Sequence, residues 1–236
     1  VRLPRSVVTG VPVRAELAGI DRRPAARAAA RERLGLPPHA QVVAVSGGSL
    51  GSLRINRATL DLAEIWAGRT DVAIRHVVGR RDWDDIRKQP VPRGGLVYQQ
   101  VEYEHDMVSL YSAADVAVQR AGANTVAELA LAGVPAVLVP LPGSPGDHQG
   151  ANARLLASVG GAVVVPDEEL DGARLAKELG TLLADPGRLA GMGEALKGLG
   201  RGGAAEAVAQ LAEEHARPRP VAHATRNAEQ GDAGGA

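Results

Sequence analysis

The chain of 236 residues has no cysteine and no phenylalanine, and aromatic residues make up only 2% of it. Without cysteine there can be no disulfide framework and no thiolate metal site, a composition that fits a reducing compartment. With so few rings the core has to be built from Val, Leu, Ile and Ala, and an apolar share of 45% supplies enough of them. Neither sign of charge is in excess, since 27 Lys and Arg face 27 Asp and Glu. No long-range field therefore points to nucleic acid. No apolar run reaches the roughly 18 residues of a helical membrane span. The opening VRLPRSVVTG lacks the continuous apolar stretch of a signal peptide. It also lacks an initiator Met and begins in mid-pattern, as expected of a fragment or a processed product.

What is present is a regular alternation of short Val-rich runs with helical patterns. Residues 24–35 predict an Arg/Ala helix that ends at Gly35, before Pro37 and Pro38. QVVAVS enters a Gly-rich turn, and a helix is expected from Leu53 to Trp66. Further strands are expected at 72–79, 95–101, 115–119, 134–140 and 161–166. Short helices should lie around Trp83–Lys88 and His105–Ser112, a longer one at Ala151–Ser158, and two or three more to about Ala216. Such alternation indicates βαβ units and a parallel sheet covered on both faces. The fold expected is α/β, a Rossmann-like doubly wound sheet, with ligands beyond the carboxyl ends of the strands. RPRPVAHATRNAEQGDAGGA (217–236) has little apolar content and no periodicity and is expected to be a disordered tail.

Three loops that follow strands carry candidate chemistry. In SGGSLGS (46–52) the glycines admit a close backbone approach, the next helix offers free N–H groups to phosphate, and Ser46, Ser49 and Ser52 add hydroxyls. A P-loop is excluded, because Leu53 follows Ser52 where Lys-Ser/Thr would be required. A dinucleotide fingerprint would need an acid after the second strand. Arg80 and Arg81 stand there instead and leave an NADP reading open. The second loop opens QRAGANTVAELALAGVPAVLVP (119–140) with Arg120, Gly122, Asn124 and Thr125. Asn124 or Thr125 could cap the helix, and Thr125 with Glu128 has the spacing of a capping box. Glu128 could equally accept both hydroxyls of a ribose while the helix start holds a phosphate. The third, PGSPGDHQGANA (142–153), offers His148, Gln149 and Asn152 to sugar hydroxyls. His148 with Asp147 is too little for a metal.

Taken in order, TGVPVR (9–14), GGSLGSLRIN (47–56), QRAGANTVAELALAGVPAVLVP and DHQGANA (147–153) resemble the donor-binding half of MurG-type glycosyltransferases. The resemblance runs from about Thr9 to about Ala212 and implies one half of a two-domain GT-B architecture. It implies a linker at 1–15 leading from an acceptor domain, and a UDP-sugar donor domain at 16–216. Arg14 and the Gly48–Ser49 turn would meet the UDP diphosphate, with Asn56 supporting that turn. Thr125 would touch the α-phosphate, flanked by Arg120, Gly122 and Asn124, and Glu128 would hold the ribose. The backbone at Glu104, with Met107 nearby, would face uracil, and His148, Gln149 and Asn152 would read the sugar. Val11, Glu104 and His148 depart from the family's usual Asn, apolar residue and Gln. The activity implied is inverting transfer of GlcNAc to a lipid-linked muramyl-pentapeptide. It would need no cofactor, since Arg14 and the helix N-termini rather than a metal would meet the diphosphate charge, and the catalytic base would lie in the acceptor domain or subunit. The isolated chain is then expected to be inactive, and the assembled enzyme to sit peripherally at the cytoplasmic face of the membrane. An aglycone glycosyltransferase and a non-catalytic nucleotide-binding module are the alternatives.

Overall fold

The computed structural model describes residues 6–216. The expected disordered tail at 217–236 lies outside them. Six strands form one parallel sheet: β1 (Gln41–Ser46), β2 (Val72–Val77), β3 (Val97–Val101), β4 (Val116–Gln119), β5 (Ala136–Leu138) and β6 (Ala162–Val164). Their order is β3-β2-β1-β4-β5-β6, the arrangement of a doubly wound Rossmann-like sheet. The helices are α1 (Pro24–Arg33), α2 (Leu53–Ile65), α3 (Trp83–Ile86), α4 (Met107–Ala113), α5 (Ala123–Ala132), α6 (His148–Ser158), α7 (Gly172–Leu183), α8 (Pro186–Lys197) and α9 (Ala204–His215).

Alternate strand residues supply the two faces of the sheet. Val43, Val45, Ile74, Val116 and Val118 pack against Ile55 and Leu62 of α2 and Leu175 and Leu179 of α7. Ala44, Ala117, Ala136 and Leu138 pack against Leu110, Leu129 and Leu156 of α4, α5 and α6. Both faces are buried, so the strands read as continuous apolar runs rather than as alternating ones. Aromatic scarcity is met by many fully buried Val, Leu, Ile and Ala side chains.

Every expected strand is present, most of them trimmed at one or both ends. The one helix boundary that matters is α6, which starts at His148 rather than at Ala151. Gly146 (φ 61°) and Asp147 (φ 50°) both take left-handed backbone, which turns the chain early and opens the helix at the next residue. The Arg-rich face of α1 also has a structural use. Arg22 donates to the carbonyls of Tyr111 and Ala114, and Arg27 and Arg31 both pair with Asp115. These bonds fasten α1 to the end of α4, where four carbonyls lack intrahelical partners.

Residue pairing levels the carboxyl ends of the strands. Ser46 lies opposite both Val77 and Gln119, and Gln119 lies opposite Leu138. β1 and β4 are neighbours, but α2 leaves toward one face and α5 toward the other. Their exits diverge there, which opens a crevice at the switch point.

Behind the turn after β1 lies a buried polar chain. Asn56 of α2 is fully buried, and its Nδ2 donates to the Val78 carbonyl (3.1 Å) and to Asp82 (3.0 Å). Its Oδ1 therefore accepts from Nε2 of buried His76 (2.9 Å), whose Nδ1 accepts from the Tyr98 hydroxyl (2.8 Å). This chain holds the 78–82 segment beside the Gly-rich turn, where backbones cross too closely for any side chain. A Cβ on Gly79 (φ 90°) would lie 2.2 Å from the Gly51 nitrogen. Burial holds the His76 imidazole near a pKa of about 3, against an ordinary 6.5. Acid therefore protonates the unfolded chain first. His76 contributes its full stability above pH 6.5 and loses it as pH falls toward 3. Between pH 7 and 4 the thermal midpoint should drop more steeply for the unaltered chain than for His76→Gln. Parallel curves would contradict this.

Candidate functional site

Two adjoining clefts occupy the switch point. The first, of about 280 Å³, is lined by Arg14, Gly48, Ser49, Tyr103, Glu104 and Met107. Tyr111, Gln119, Asn124, Thr125 and Glu128 also line it. The second, of about 520 Å³, shares Gly48, Ser49 and Thr125 with it and extends along Leu50 to Arg54, Arg120, Leu141 and Gln149. The three loops singled out from sequence thus meet in one continuous depression.

Each wall follows from local structure. Ser52 is the N-cap of α2, and its Oγ accepts from the Ile55 N–H (3.5 Å) and from Arg120 (2.8 Å). Ser46 Oγ accepts from the Gly48 N–H, so of the three serines only Ser49 is exposed and uncommitted in the turn. Arg120 also donates to the carbonyls of Val139 and Pro140 and pairs with Asp167 at 2.6 Å. It ties three loops together beside the larger cleft, which it lines. Gln149 works in the same way, its Oε1 accepting from the N–H groups of Ala121 (3.2 Å) and Leu141 (3.0 Å).

The capping reading of the second loop does not hold. The N-cap of α5 is Gly122, with no side-chain hydrogen bond, so Asn124 and Thr125 lie inside the first turn. Glu128 therefore stands too far along the helix to close a capping box. Gly122 leaves the first N–H groups of α5 uncovered, and the N-termini of α2 and α5 both border the clefts. The uncapped start of α5, beside the start of α2 where Ser52 caps only the Ile55 N–H, forms an anion-binding arrangement.

Glu128 is half-buried and projects into the first cleft, where its Oε2 accepts from the Tyr111 hydroxyl at 3.0 Å. Burial pushes its carboxyl above the ordinary carboxylate value, while the Tyr111 hydrogen bond and the positive charge of Arg14 pull it back down. Glu104, which stands where an apolar residue was expected by resemblance, is buried but paired. Its carboxylate accepts from Arg75 (2.7 and 2.9 Å) and from the Asp106 N–H (3.0 Å). That pairing anchors the loop after β3, at the end of the cleft nearest Met107 and Tyr103.

Three expected site residues lie elsewhere. Asn56 is buried beneath the turn with no surface for a ligand, in keeping with a supporting role. His148 is exposed, with Nδ1 at 2.9 Å from the Pro145 carbonyl of its own turn, and lines neither cleft. Asn152 donates to the Ala121 carbonyl (3.0 Å) and borders a neighbouring apolar pocket. Sequence reasoning passed over Tyr103, Tyr111 and Gln119. The signal available was a Gln ending a buried strand and a Tyr inside a short apolar helix.

A doubly wound sheet with a crevice at its switch point places the protein among Rossmann-like α/β domains. Comparison with known proteins narrows the class. The chain belongs to the family described as the glycosyltransferase family 28 C-terminal domain, whose profile matches residues 42–214. Two relatives carry the name UDP-N-acetylglucosamine--N-acetylmuramyl-(pentapeptide) pyrophosphoryl-undecaprenol N-acetylglucosamine transferase. The protein from Alkalilimnicola ehrlichii is 45% identical over 174 residues, covering 73% of this chain and 48% of its own length. That from Rhodococcus opacus is 41% identical over 204 residues, covering 86% and 52%. The chain thus spans about half the length of the curated relatives it matches. Among solved structures, Acinetobacter baumannii MurG superposes with a TM-score of 0.68 at 28% identity, over 84% of this chain and 55% of that one. A calicheamicin glycosyltransferase shares the fold at 21% identity, with a TM-score of 0.55 over 77% and 44% of the two chains.

With Glu128 outside the cap of α5, Glu128→Ala should cost no more than about 3 kcal/mol, the scale of one hydrogen bond to a charged group. Chemical denaturation measures this, and wholesale unfolding would restore the structural role.

Proposed function

We propose that this chain is the UDP-sugar donor domain of an inverting hexosyltransferase. It would work with an acceptor half to move GlcNAc onto a lipid-linked muramyl-pentapeptide. The observation that carries this reading is Glu128, half-buried in a cleft that the Gly48–Ser49 turn also lines. An ionised carboxylate can only accept hydrogen bonds, such as a pair of hydroxyls would offer, whereas the turn and the helix starts attract anions. A ribose joined to a diphosphate matches both. The names of relatives that are 41–45% identical to the chain over the aligned half of their length support GlcNAc as the sugar and the lipid-linked precursor as the acceptor.

In this reading the diphosphate lies between Arg14, Ser49 and Thr125, the ribose at Glu128, and the base near the backbone of Glu104 and Met107. The sugar extends into the second cleft toward Gln149. The oxygen of an acceptor hydroxyl bonds to the anomeric carbon as the bond from that carbon to UDP breaks. The electron pair leaves with UDP, and the hydroxyl proton passes to a base that we assign to the acceptor half. Charge developing on the leaving diphosphate is met by Arg14 and by the N-termini of α2 and α5. No cofactor beyond the nucleotide-sugar substrate is proposed.

Residues 1–15 would then link the donor domain, 16–216, to the acceptor half, and the chain alone would not turn over. In the described part, residues 8–10 pack against the start of α9, with Arg201 donating to the Val8 carbonyl. Among the described residues no helix is long and apolar enough to cross a membrane. Peripheral placement at the cytoplasmic face would come through the acceptor half. The NADP alternative is less well supported, since Arg81 pairs with Asp82 and Arg80 lies 5.0 Å from the centre of the Tyr103 ring. An aglycone acceptor is less well supported, since the calicheamicin enzyme shares only the fold.

Calorimetry should register UDP and UDP-GlcNAc but not NADPH, and Glu128→Ala should weaken UDP at least about tenfold, the value of a charged hydrogen bond. Tight NADPH binding with no UDP signal would overturn the proposal.

A further inference from the structure

We infer that Tyr111 is a positioning residue for nucleotide recognition: its hydroxyl, backed by Gln119, sets the plane in which Glu128 meets a ribose. The inference rests on the proposed reading of Glu128 as the ribose carboxylate, and it deepens that reading.

Tyr111 lies on α4 and is fully buried, with 1% of its surface exposed, yet its hydroxyl reaches the floor of the first cleft. Gln119, the last residue of β4, is also buried and stands 3.3 Å from that hydroxyl through both its amide oxygen and its amide nitrogen. The hydroxyl has one proton to give, and ionised Glu128 can only accept. The consistent arrangement has Gln119 Nε2 donating to the Tyr111 oxygen and the Tyr111 hydroxyl donating to Glu128 Oε2. Burial keeps the phenol protonated, and so a donor, well above the ordinary tyrosine range.

A half-exposed glutamate on a helix has several rotamers open to it. One bond from a rigid, buried ring selects among them. It uses one acceptor site of Oε2 and leaves Oε1 and the other lone pair of Oε2 for two adjacent hydroxyls. Two hydroxyls on neighbouring carbons are what a ribose presents and a 2′-deoxyribose lacks. Tyr111 thus contributes to discrimination at the 2′ position without touching the base or the diphosphate.

The test uses the whole chain and compares its affinity for UDP with that for 2′-deoxyuridine diphosphate, in the unaltered protein and in Tyr111→Phe. The unaltered chain should favour UDP by about tenfold or more. In Tyr111→Phe the preference should shrink to about threefold or less, with affinity for the deoxy ligand unchanged. A general packing defect would weaken both ligands alike and leave the ratio intact. Gln119→Met is the second variant, should Tyr111→Phe fail to fold, and is expected to reduce the ratio in the same direction. UDP binding with an undiminished ratio in whichever of these variants folds overturns the inference alone. No UDP binding, or no 2′ preference, in the unaltered chain overturns the donor-site reading on which it rests.

Discussion

The structure depends on the divergence of two neighbouring parallel strands. β1 and β4 run side by side with Ser46 level with Gln119, and their following helices depart to opposite faces of the sheet. A right-handed crossover cannot fill the space between such exits, so a crevice is forced by topology before any functional side chain is considered. The helix starts on either side aim unpaired N–H groups toward that space. In the proposed reading, phosphate is held at this point by the backbone, and the side chains refine the fit.

Refinement comes from polar groups that spend most of their bonding capacity on the loops themselves. Asn56 and His76 hold the segment after β2 against the glycine turn, Arg120 joins the loops after β1, β4 and β5, and Gln149 clips the last two together. Each uses side-chain bonds where loops would otherwise be loose, a rigidity that keeps a binding geometry pre-formed. The groups left with free capacity are few, chiefly Ser49, Thr125, Arg14 and Glu128, and they border one cleft. Glu104 illustrates the same economy. A charged residue at an apolar site is tolerated because Arg75 and the Asp106 N–H satisfy it fully.

Much of this was legible in the sequence. Val-rich runs at regular spacing implied the parallel sheet, and three glycine- or proline-rich loops after strands marked the crevice. The start of α6 was misjudged because a non-glycine residue, Asp147, takes left-handed backbone, which no residue pattern announces. The capping box at Thr125 and Glu128 had the right spacing but the wrong origin. Gly122 begins α5 with no side chain at all, which leaves Glu128 to the cleft. Tyr111, His76 and Arg75 were invisible for another reason. Each lies in an apolar or strand-like run, and its role depends on a partner 17 to 29 residues away. Spacing within one segment cannot disclose bonds between segments. His148 shows the converse, since a motif match placed it at the sugar while its own turn holds the imidazole outside both clefts.

The central claim is that one crevice holds a nucleoside diphosphate with its ribose on Glu128. A crystal structure of the chain soaked with UDP tests it most directly. The account predicts the ribose hydroxyls within hydrogen-bond distance of Glu128, and the diphosphate between Ser49 and Thr125. UDP seated outside this crevice, or inside it with Glu128 untouched, would contradict the account.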